Sequence, residues 1–306
     1  MRKGKSSGAN PFERLCDELI VAIFMALNAA DIATVSMVCK SFNRLCRDPS
    51  LWNKLDLTTL SSYRFKVPHD RLGVWKDQLS SKKLNQLLSS VLDLSKGNTT
   101  YLIFNYYVYL SDLQLIYVAE RTPNLKRLVL PSSGDLTKVG IVKAMKWWQD
   151  LESVTITSVV SHPYIFYAVQ EYGKKITELK FTCGFQEYHA EALIKHTPNL
   201  RTLSVRSVIV SMKGLCLVLK TMKHLEVVNI CHSLIMDRKS PTSRVVVYRI
   251  PDLKDHLNKK CLAKLIYCQG NWCLRCKNAR DTNPNREPYG HFEDIWREDE
   301  IPSLSH

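Results

Sequence analysis

The chain has 306 residues, a length that allows about two domains of roughly 150 residues each. Hydrophobic residues make up 45% and charged residues 24% of the sequence, which excludes a collagen-like or wholly disordered chain. With 43 Lys and Arg against 29 Asp and Glu, the net charge is +14; this permits acidic or nucleic-acid partners but does not bear on the fold.

The N-terminal segment carries neither a membrane span nor a clear secretory signal. Its apolar run, residues 19–27, is much shorter than the roughly 20 residues that a membrane-spanning helix needs. Acidic residues stand directly in front of this run, and no small-residue cleavage site follows it cleanly. The ten cysteines are too few for a disulfide scaffold and indicate mostly free thiols in a reducing compartment. We therefore expect the nucleus, the cytoplasm or both, with a flexible basic segment over residues 1–10.

Residues 11–57 carry two broad apolar stripes at helical spacing. The turn-forming pair Asp48-Pro49 follows them, and then two further apolar residues, Leu51 and Trp52. Asp31 is predicted to cap the second helix. Helices this short cannot enclose so many apolar side chains by themselves. Periodicity alone leaves two interpretations open: a helical cap that packs on the rest of the chain, or an interface for another protein.

The order of these residues resembles an F-box over residues 12–55. The matching positions are Leu15-x-x-Glu18-Leu19, Ile23-Phe24, Leu27, Asp31-Ile32, Val35, Val38-Cys39-Lys40, Phe42, Leu45, Asp48-Pro49 and Leu51-Trp52. The resemblance implies a three-helix module that docks on the Skp-type adaptor of a cullin–RING ubiquitin ligase. The adaptor-binding residues that it implies are Leu15, Cys16, Leu19, Ile20, Ile23, Leu27, Ile32, Val35, Val38, Cys39, Phe42, Leu45 and Trp52. Cys16 stands where the family usually has a proline, and Phe42 where it usually has a tryptophan. The loss of the proline is expected to weaken adaptor binding without abolishing it, because cysteine is also a small apolar residue.

A repeated frame of apolar residues follows. Its five copies are Leu125-x-x-Leu128-x-Leu130, Leu151-x-x-Val154-x-Ile156, Ile176-x-x-Leu179-x-Phe181, Leu200-x-x-Leu203-x-Val205 and Leu225-x-x-Val228-x-Ile230. The copies start 24 to 26 residues apart, and a weaker copy, Asn98-x-x-Tyr101-x-Ile103, precedes them by 27 residues. Period and pattern are those of leucine-rich repeats, each with a strand followed by a helix.

These units predict an α/β fold: an N-terminal three-helix F-box followed by a short leucine-rich-repeat solenoid, with curved parallel strands inside and helices outside. The repeat domain is expected over residues 97–236, after a linker and capping helix over residues 58–96. The combination resembles plant F-box/leucine-rich-repeat proteins with five to six repeats.

Strand residues between the apolar frame positions are expected to point to the concave side, because side chains alternate along a strand. They form a polar, mildly basic array that suits an acidic protein partner, although solvated strand positions are the alternative. The predicted substrate-binding residues are Arg127, Ser153, Thr155, Glu178, Lys180, Thr202, Ser204, Arg206 and Asn229. On the repeat helices, His189, His196 and His224 are expected to face solvent.

Residues 237–306 form a charged tail with clustered cysteines. Cys273 and Cys276 have the C-x2-C spacing of a zinc half-site, with Cys268 nearby, but the second half is poorly supplied. The sequence favours thiols that cap the last repeat, and leaves Cys268, Cys273 and Cys276 as a weak metal candidate. No cofactor is predicted.

The sequence has no phosphate-binding-loop glycine pattern and no zinc-protease motif, and its histidines are scattered, so we expect no enzyme. The resemblance implies a substrate-recognition subunit of a Skp–cullin–F-box (SCF) ubiquitin ligase, which binds the adaptor and, through it, the cullin and RING subunits. The repeats would hold an unknown protein destined for proteasomal degradation. Two alternatives stay open: a basic nucleic-acid or chromatin adaptor, which the sequence does not favour, and a small-molecule-sensing F-box receptor. No membrane partner is expected.

Overall fold

The computed structural model describes residues 15–58, 78–105, 108–131, 133–156, 162–238, 245–249, 252–253, 263–268 and 273. The chain begins with a group of short helices and continues as a series of strand–helix units. The N-terminal elements are α1 (Asp17–Phe24), α2 (Ala29–Val35), α3 (Lys40–Leu45), a 3₁₀ turn (Pro49–Leu51) and β1 (Lys54–Asp56).

The second predicted helix is in fact two helices, α2 and α3, and Asp31 is not its cap. Asn28 is the N-cap of α2, because its side-chain oxygen accepts hydrogen bonds from the backbone N–H groups of Ala30 and Asp31, both at 3.0 Å. α2 ends at Val35. Cys39 caps α3, because its sulfur accepts a hydrogen bond from the backbone N–H of Phe42. The second apolar stripe is therefore shared between two helices.

A long helix, α4 (Gln78–Ser95), lies between the N-terminal helices and the repeats, within the residues 58–96 for which a linker and capping helix are predicted. It packs against α2 on one side and the first repeat helix on the other. Arg47 ties the two parts together, because its guanidinium donates to both the Asp93 carboxylate, at 2.9 Å, and the Asp93 carbonyl, at 3.2 Å. The N-terminal helices are thus held at a defined orientation on the repeats.

The remaining elements alternate between short strands and helices. The strands are β2 (Tyr101–Ile103), β3 (Tyr109–Ser111), β4 (Arg127–Val129), β5 (Ser133–Asp135), β6 (Ser153–Ile156), β7 (Glu178–Phe181), β8 (Thr202–Ser204), β9 (Ile209–Ser211), β10 (Val227–Asn229), β11 (Leu234–Arg238), β12 (Val245–Tyr248) and β13 (Lys264–Ile266). The helices are α5 (Asp112–Arg121), α6 (Lys138–Trp147), α7 (His162–Tyr172), α8 (Glu187–His196) and α9 (Met212–Thr221).

The main sheet is a parallel ladder with the strand order β1-β2-β4-β6-β7-β8-β10-β13. Leu128, Val154, Leu179, Leu203 and Val228 lie opposite one another in successive strands, as the repeat frame predicts. All of them are buried against the repeat helices, and consecutive helices pack side by side. The predicted α/β solenoid is therefore confirmed, with smaller sheets β3-β5 and β12-β11-β9 beside it.

The register of the first repeat differs from the predicted frame by one residue. Leu102, not Tyr101, lies opposite Leu128, and Tyr101 lies opposite Arg127. Leu102 and Phe104 fill the core positions, while Tyr101 and Ile103 lie on the other face of the sheet, where they pack with Val129. Because side chains alternate along a strand, a slip of one residue exchanges the two faces, and the frame Asn98-x-x-Tyr101-x-Ile103 selected the wrong one.

The sheet extends at both ends beyond the residues 97–236 predicted for the repeats. At one end β1 pairs with β2, and at the other β13 pairs with β10. β1, at residues 54–56, follows the N-terminal helices directly, so the N-terminal part of the chain contributes a strand to the sheet of the repeats. Among the described residues, no helix is both long enough and apolar enough to cross a bilayer.

Candidate functional site

The N-terminal helices expose large apolar side chains to solvent. Leu19 and Ile23 lie one turn apart on α1 and are 53% and 46% exposed, and Val38, before α3, is 67% exposed. Leu15 and Met37 are exposed as well, and these five residues are called the apolar set below. Leaving such side chains in water forgoes roughly 1.5–3 kcal/mol each relative to burial. The set is therefore available to a partner.

Other residues predicted to bind the adaptor lie in the core of these helices. Ile20, Ile32, Leu45 and Trp52 are each at most 5% exposed. The Trp52 indole N–H donates to the Cys46 carbonyl at 2.7 Å in this core. The prediction that these four side chains contact a partner is corrected: helical periodicity marks both faces of a broad stripe, and these four point inward. Leu27, Val35 and Phe42 are half-buried, and Cys16 and Cys39 are exposed.

Two contacts join α1 to α3. The Arg44 guanidinium forms an ion pair with Asp17 at 2.7 Å, and the rings of Phe24 and Phe42 meet edge to face with centroids 5.4 Å apart. Phe42 stands where the family has tryptophan, and it still packs into the junction of the two helices.

The cysteine that follows α3 is buried. Burial raises the pKa of the Cys46 thiol to about 11, so this cysteine is protonated and unreactive at neutral pH.

The polar residues predicted for the concave face are largely buried. Ser153, Thr155, Glu178, Lys180, Ser204 and Arg206 are buried, whereas Arg127, Thr202 and Asn229 are partly exposed. Six of the nine residues predicted to bind a substrate are therefore not open to a partner, and the alternative of solvated strand positions does not hold for them either. Neighbouring strands lie about 4.8 Å apart, so side chains in adjacent strands cover one another's flanks.

Electrostatics explain how this face holds a buried acid. Glu178 forms an ion pair with Arg127, with 3.2 Å between Oε2 and Nη1. Burial raises the pKa of Glu178 to about 7, although the Arg127 charge and a hydrogen bond from Ser153 act in the opposite direction. Lys180, only 2% exposed, lies between Thr155 and Ser204 in the neighbouring row. The row of Arg127, Ser153 and Glu178 is therefore engaged in interactions within the chain.

His189 also departs from the expectation, because it is fully buried and not solvent-facing. Its Nδ1 accepts a hydrogen bond from the Gln186 N–H at 2.9 Å at the start of α8, and its ring packs against Phe181 and Phe185. The position three residues after an N-cap was the sequence signal for this role. His196 is partly exposed and His224 is exposed.

The structure brings two of the tail cysteines together with a histidine that the sequence analysis did not select. Potential ligand atoms of His232, Cys268 and Cys273 all lie within 4.8 Å of one another. Cys276 falls outside the described residues. His232 precedes Cys268 by 36 residues, so local spacing gave no signal for this grouping.

Comparisons with known proteins agree with this architecture. The family model described as F-box-like matches residues 12–58. An F-box/LRR-repeat protein of Arabidopsis thaliana is 33% identical over 298 residues, which cover 96% of this chain and 96% of the relative. F-box protein SKIP1 of the same organism is 26% identical over 253 residues, covering 76% of this chain and 82% of the relative. The resemblance seen in the sequence is thereby confirmed.

Proposed function

This chain belongs to the F-box/LRR-repeat proteins, and on that premise we propose that it is the substrate-recognition subunit of an SCF ubiquitin ligase. The F-box binds the Skp-type adaptor, which connects it to the cullin and RING subunits. The repeats bind a protein that is thereby ubiquitinated and directed to the proteasome. The ligase acts in the nucleus, the cytoplasm or both.

The observation that carries the proposal is the exposure of the apolar set within the part of the chain that matches the F-box-like model. Leu19 and Ile23 form one apolar face of α1, and the ion pair between Asp17 and Arg44 fastens this helix to α3. Covering these side chains with a partner removes apolar surface from water, which favours binding.

The missing family proline does not disturb this surface. Cys16 is the N-cap residue of α1 with φ −70° and ψ 156°. Proline restricts φ to about −65°, so Cys16 already has the backbone conformation that proline would impose. The loss of proline removes rigidity from the unfolded chain but leaves the start of α1 unchanged.

The proposed mechanism is proximity, with no bond made or broken by this chain. The salt bridge and hydrogen bond from Arg47 to Asp93, together with the β1–β2 pairing, make the F-box and the repeats one frame. A target held on this frame has a raised effective concentration of its lysines near the conjugating enzyme. The partly exposed Arg127, Thr202 and Asn229 stay predictions for contacts with the target.

The test is adaptor binding by the full chain with Leu19→Asp and Ile23→Asp combined. A carboxylate buried without a partner in an apolar interface is costly, so we expect Kd to rise by about 100-fold or more. Leu113→Asp is the matched control, because Leu113 is 80% exposed on repeat helix α5. It should bind the adaptor like the unmodified chain. Adaptor binding at the unmodified Kd by a folded double variant would disprove the proposed interface.

A further inference from the structure

His232, Cys268 and Cys273 lie close together at one end of the repeat sheet. Cys273 Sγ lies 3.6 Å from His232 Nδ1, and the backbone N–H of His232 points to Cys268 Sγ at 3.4 Å. In tetrahedral zinc sites Zn–S is about 2.3 Å and Zn–N about 2.0–2.1 Å, so a sulfur and a nitrogen bound to one ion lie about 3.6 Å apart. The sulfur–nitrogen distance in the cluster is that of two ligands of one zinc ion.

Strand pairing produces this grouping. The parallel strands β10 and β13 lie side by side with Asn229 opposite Ile266, and the Ile230 N–H donates to the Ile266 carbonyl at 2.8 Å. The carboxyl ends of both strands therefore meet at one edge of the sheet. His232 follows β10 by three residues and Cys268 follows β13 by two, so both emerge at this edge.

The backbone of His232 supplies an independent observation. Its φ of 63° lies in the left-handed region, which side chains with a Cβ rarely adopt. Such conformations persist only where surrounding structure enforces them, and they are concentrated at functional sites. Here the conformation accompanies the approach of both the ring and the backbone N–H of His232 to cysteine sulfurs.

We propose that His232, Cys268 and Cys273 bind one zinc ion that fastens β13 to the end of the repeat sheet. Thiolate and imidazole donors suit Zn²⁺, whereas Mg²⁺ and Ca²⁺ require oxygen ligands. Binding releases the thiol protons of Cys268 and Cys273 to solvent and leaves neutral His232 as a nitrogen ligand, with no change in oxidation state. A tetrahedral ion takes one more donor, a thiolate or a water.

The site would serve as a terminal cap. Each repeat packs only on its neighbours, so the last one needs a covering element. β13 covers the edge of β10 but is only three residues long, and a metal clamp between their ends would keep it paired. The inference does not rest on the proposed function, because it concerns the end of the sheet opposite the F-box.

The first experiment measures zinc in the full chain, purified under reducing conditions without chelator. We expect about one zinc per chain in the unmodified protein, and a loss of most of it in His232→Ala, Cys268→Ser and Cys273→Ser. The matched controls are His224→Ala, at an exposed histidine, and Cys183→Ser, at a half-buried cysteine. Both controls should keep their zinc.

The second experiment is a Co²⁺ titration of the unmodified metal-free chain, which stays informative if a variant fails to fold. A thiolate-to-cobalt charge-transfer band that saturates at about one Co²⁺ per chain and is displaced by Zn²⁺ supports the site. Three results would overturn it: no such band, zinc retained in all three variants, or a disulfide between Cys268 and Cys273 in the reduced preparation.

Discussion

Arg127 on β4 and Glu178 on β7 form an ion pair across the intervening strand β6, with 3.2 Å between Nη1 and Oε2. Ser153, on β6, lies between them and donates a hydrogen bond to the same carboxylate. Glu178 is buried, and its burial outweighs both favourable partners, so its pKa rises to about 7. A face predicted to bind an acidic protein partner thus contains a buried carboxyl group whose pKa is about 7.

Glu178 should make the stability of the fold depend on pH. Its folded pKa of about 7 lies above the ordinary value of 4.5, so the folded state binds more protons than the unfolded state between these values. The free energy of unfolding should therefore fall as the pH rises through this window, by roughly 1–3 kcal/mol from this group. Urea unfolding at pH values across the window measures it, with Glu178→Gln as the comparison. Equal pH slopes for both proteins would contradict the assignment.

Lys180 should be structural, and not a tunable surface charge. It is only 2% exposed, so Lys180→Glu places an acid where the chain has accommodated a cation, and we expect a loss of roughly 3 kcal/mol or more. Lys143→Glu makes the same change at an exposed position of α6 and should alter stability by less than about 0.5 kcal/mol. Thermal unfolding compares the two. A stable Lys180→Glu protein with impaired target capture would restore the concave-face interpretation.

Trp52 should act on the stability of the F-box and not on the adaptor directly. It is 1% exposed, and its indole N–H donates to the Cys46 carbonyl. Trp52→Ala leaves a cavity and an unpaired carbonyl, so we expect a loss of about 3–5 kcal/mol. Unfolding curves and adaptor affinity at low temperature separate stability from binding. Lost adaptor binding at unchanged stability would show that Trp52 touches the adaptor after all.

Local patterns in the sequence determined much of this architecture. The frame Leu125-x-x-Leu128-x-Leu130 and its copies identify the inward row of the sheet, because a two-residue strand period and a repeat of about 25 residues are both visible in one dimension. The F-box order likewise identifies the N-terminal helices. Where the pattern is weak, as at Tyr101, a one-residue error in frame places the wrong side chains in the core.

Exposure was decided by the tertiary structure. Ile20 and Ile23 are equally apolar and three residues apart, yet one is buried and the other is 46% exposed, because only packing against neighbouring helices selects which part of a broad stripe faces inward. Glu178 and Lys180 are buried for a similar reason, since parallel pairing places their strand beside residues that lie about 25 positions away in sequence.

Long-range grouping lay beyond the sequence altogether. Strands β1 and β13 are three residues long, and they are recognisable as strands only because they pair with the strands beside them. Their pairing joins the F-box to the repeats at one end and brings Cys268 to His232 at the other. Sequence by itself thus determined the family, the repeat period and the inward rows, because those are local and periodic. The tertiary structure alone decided which side chains are exposed and which distant ones meet, because both depend on contacts that no local spacing encodes.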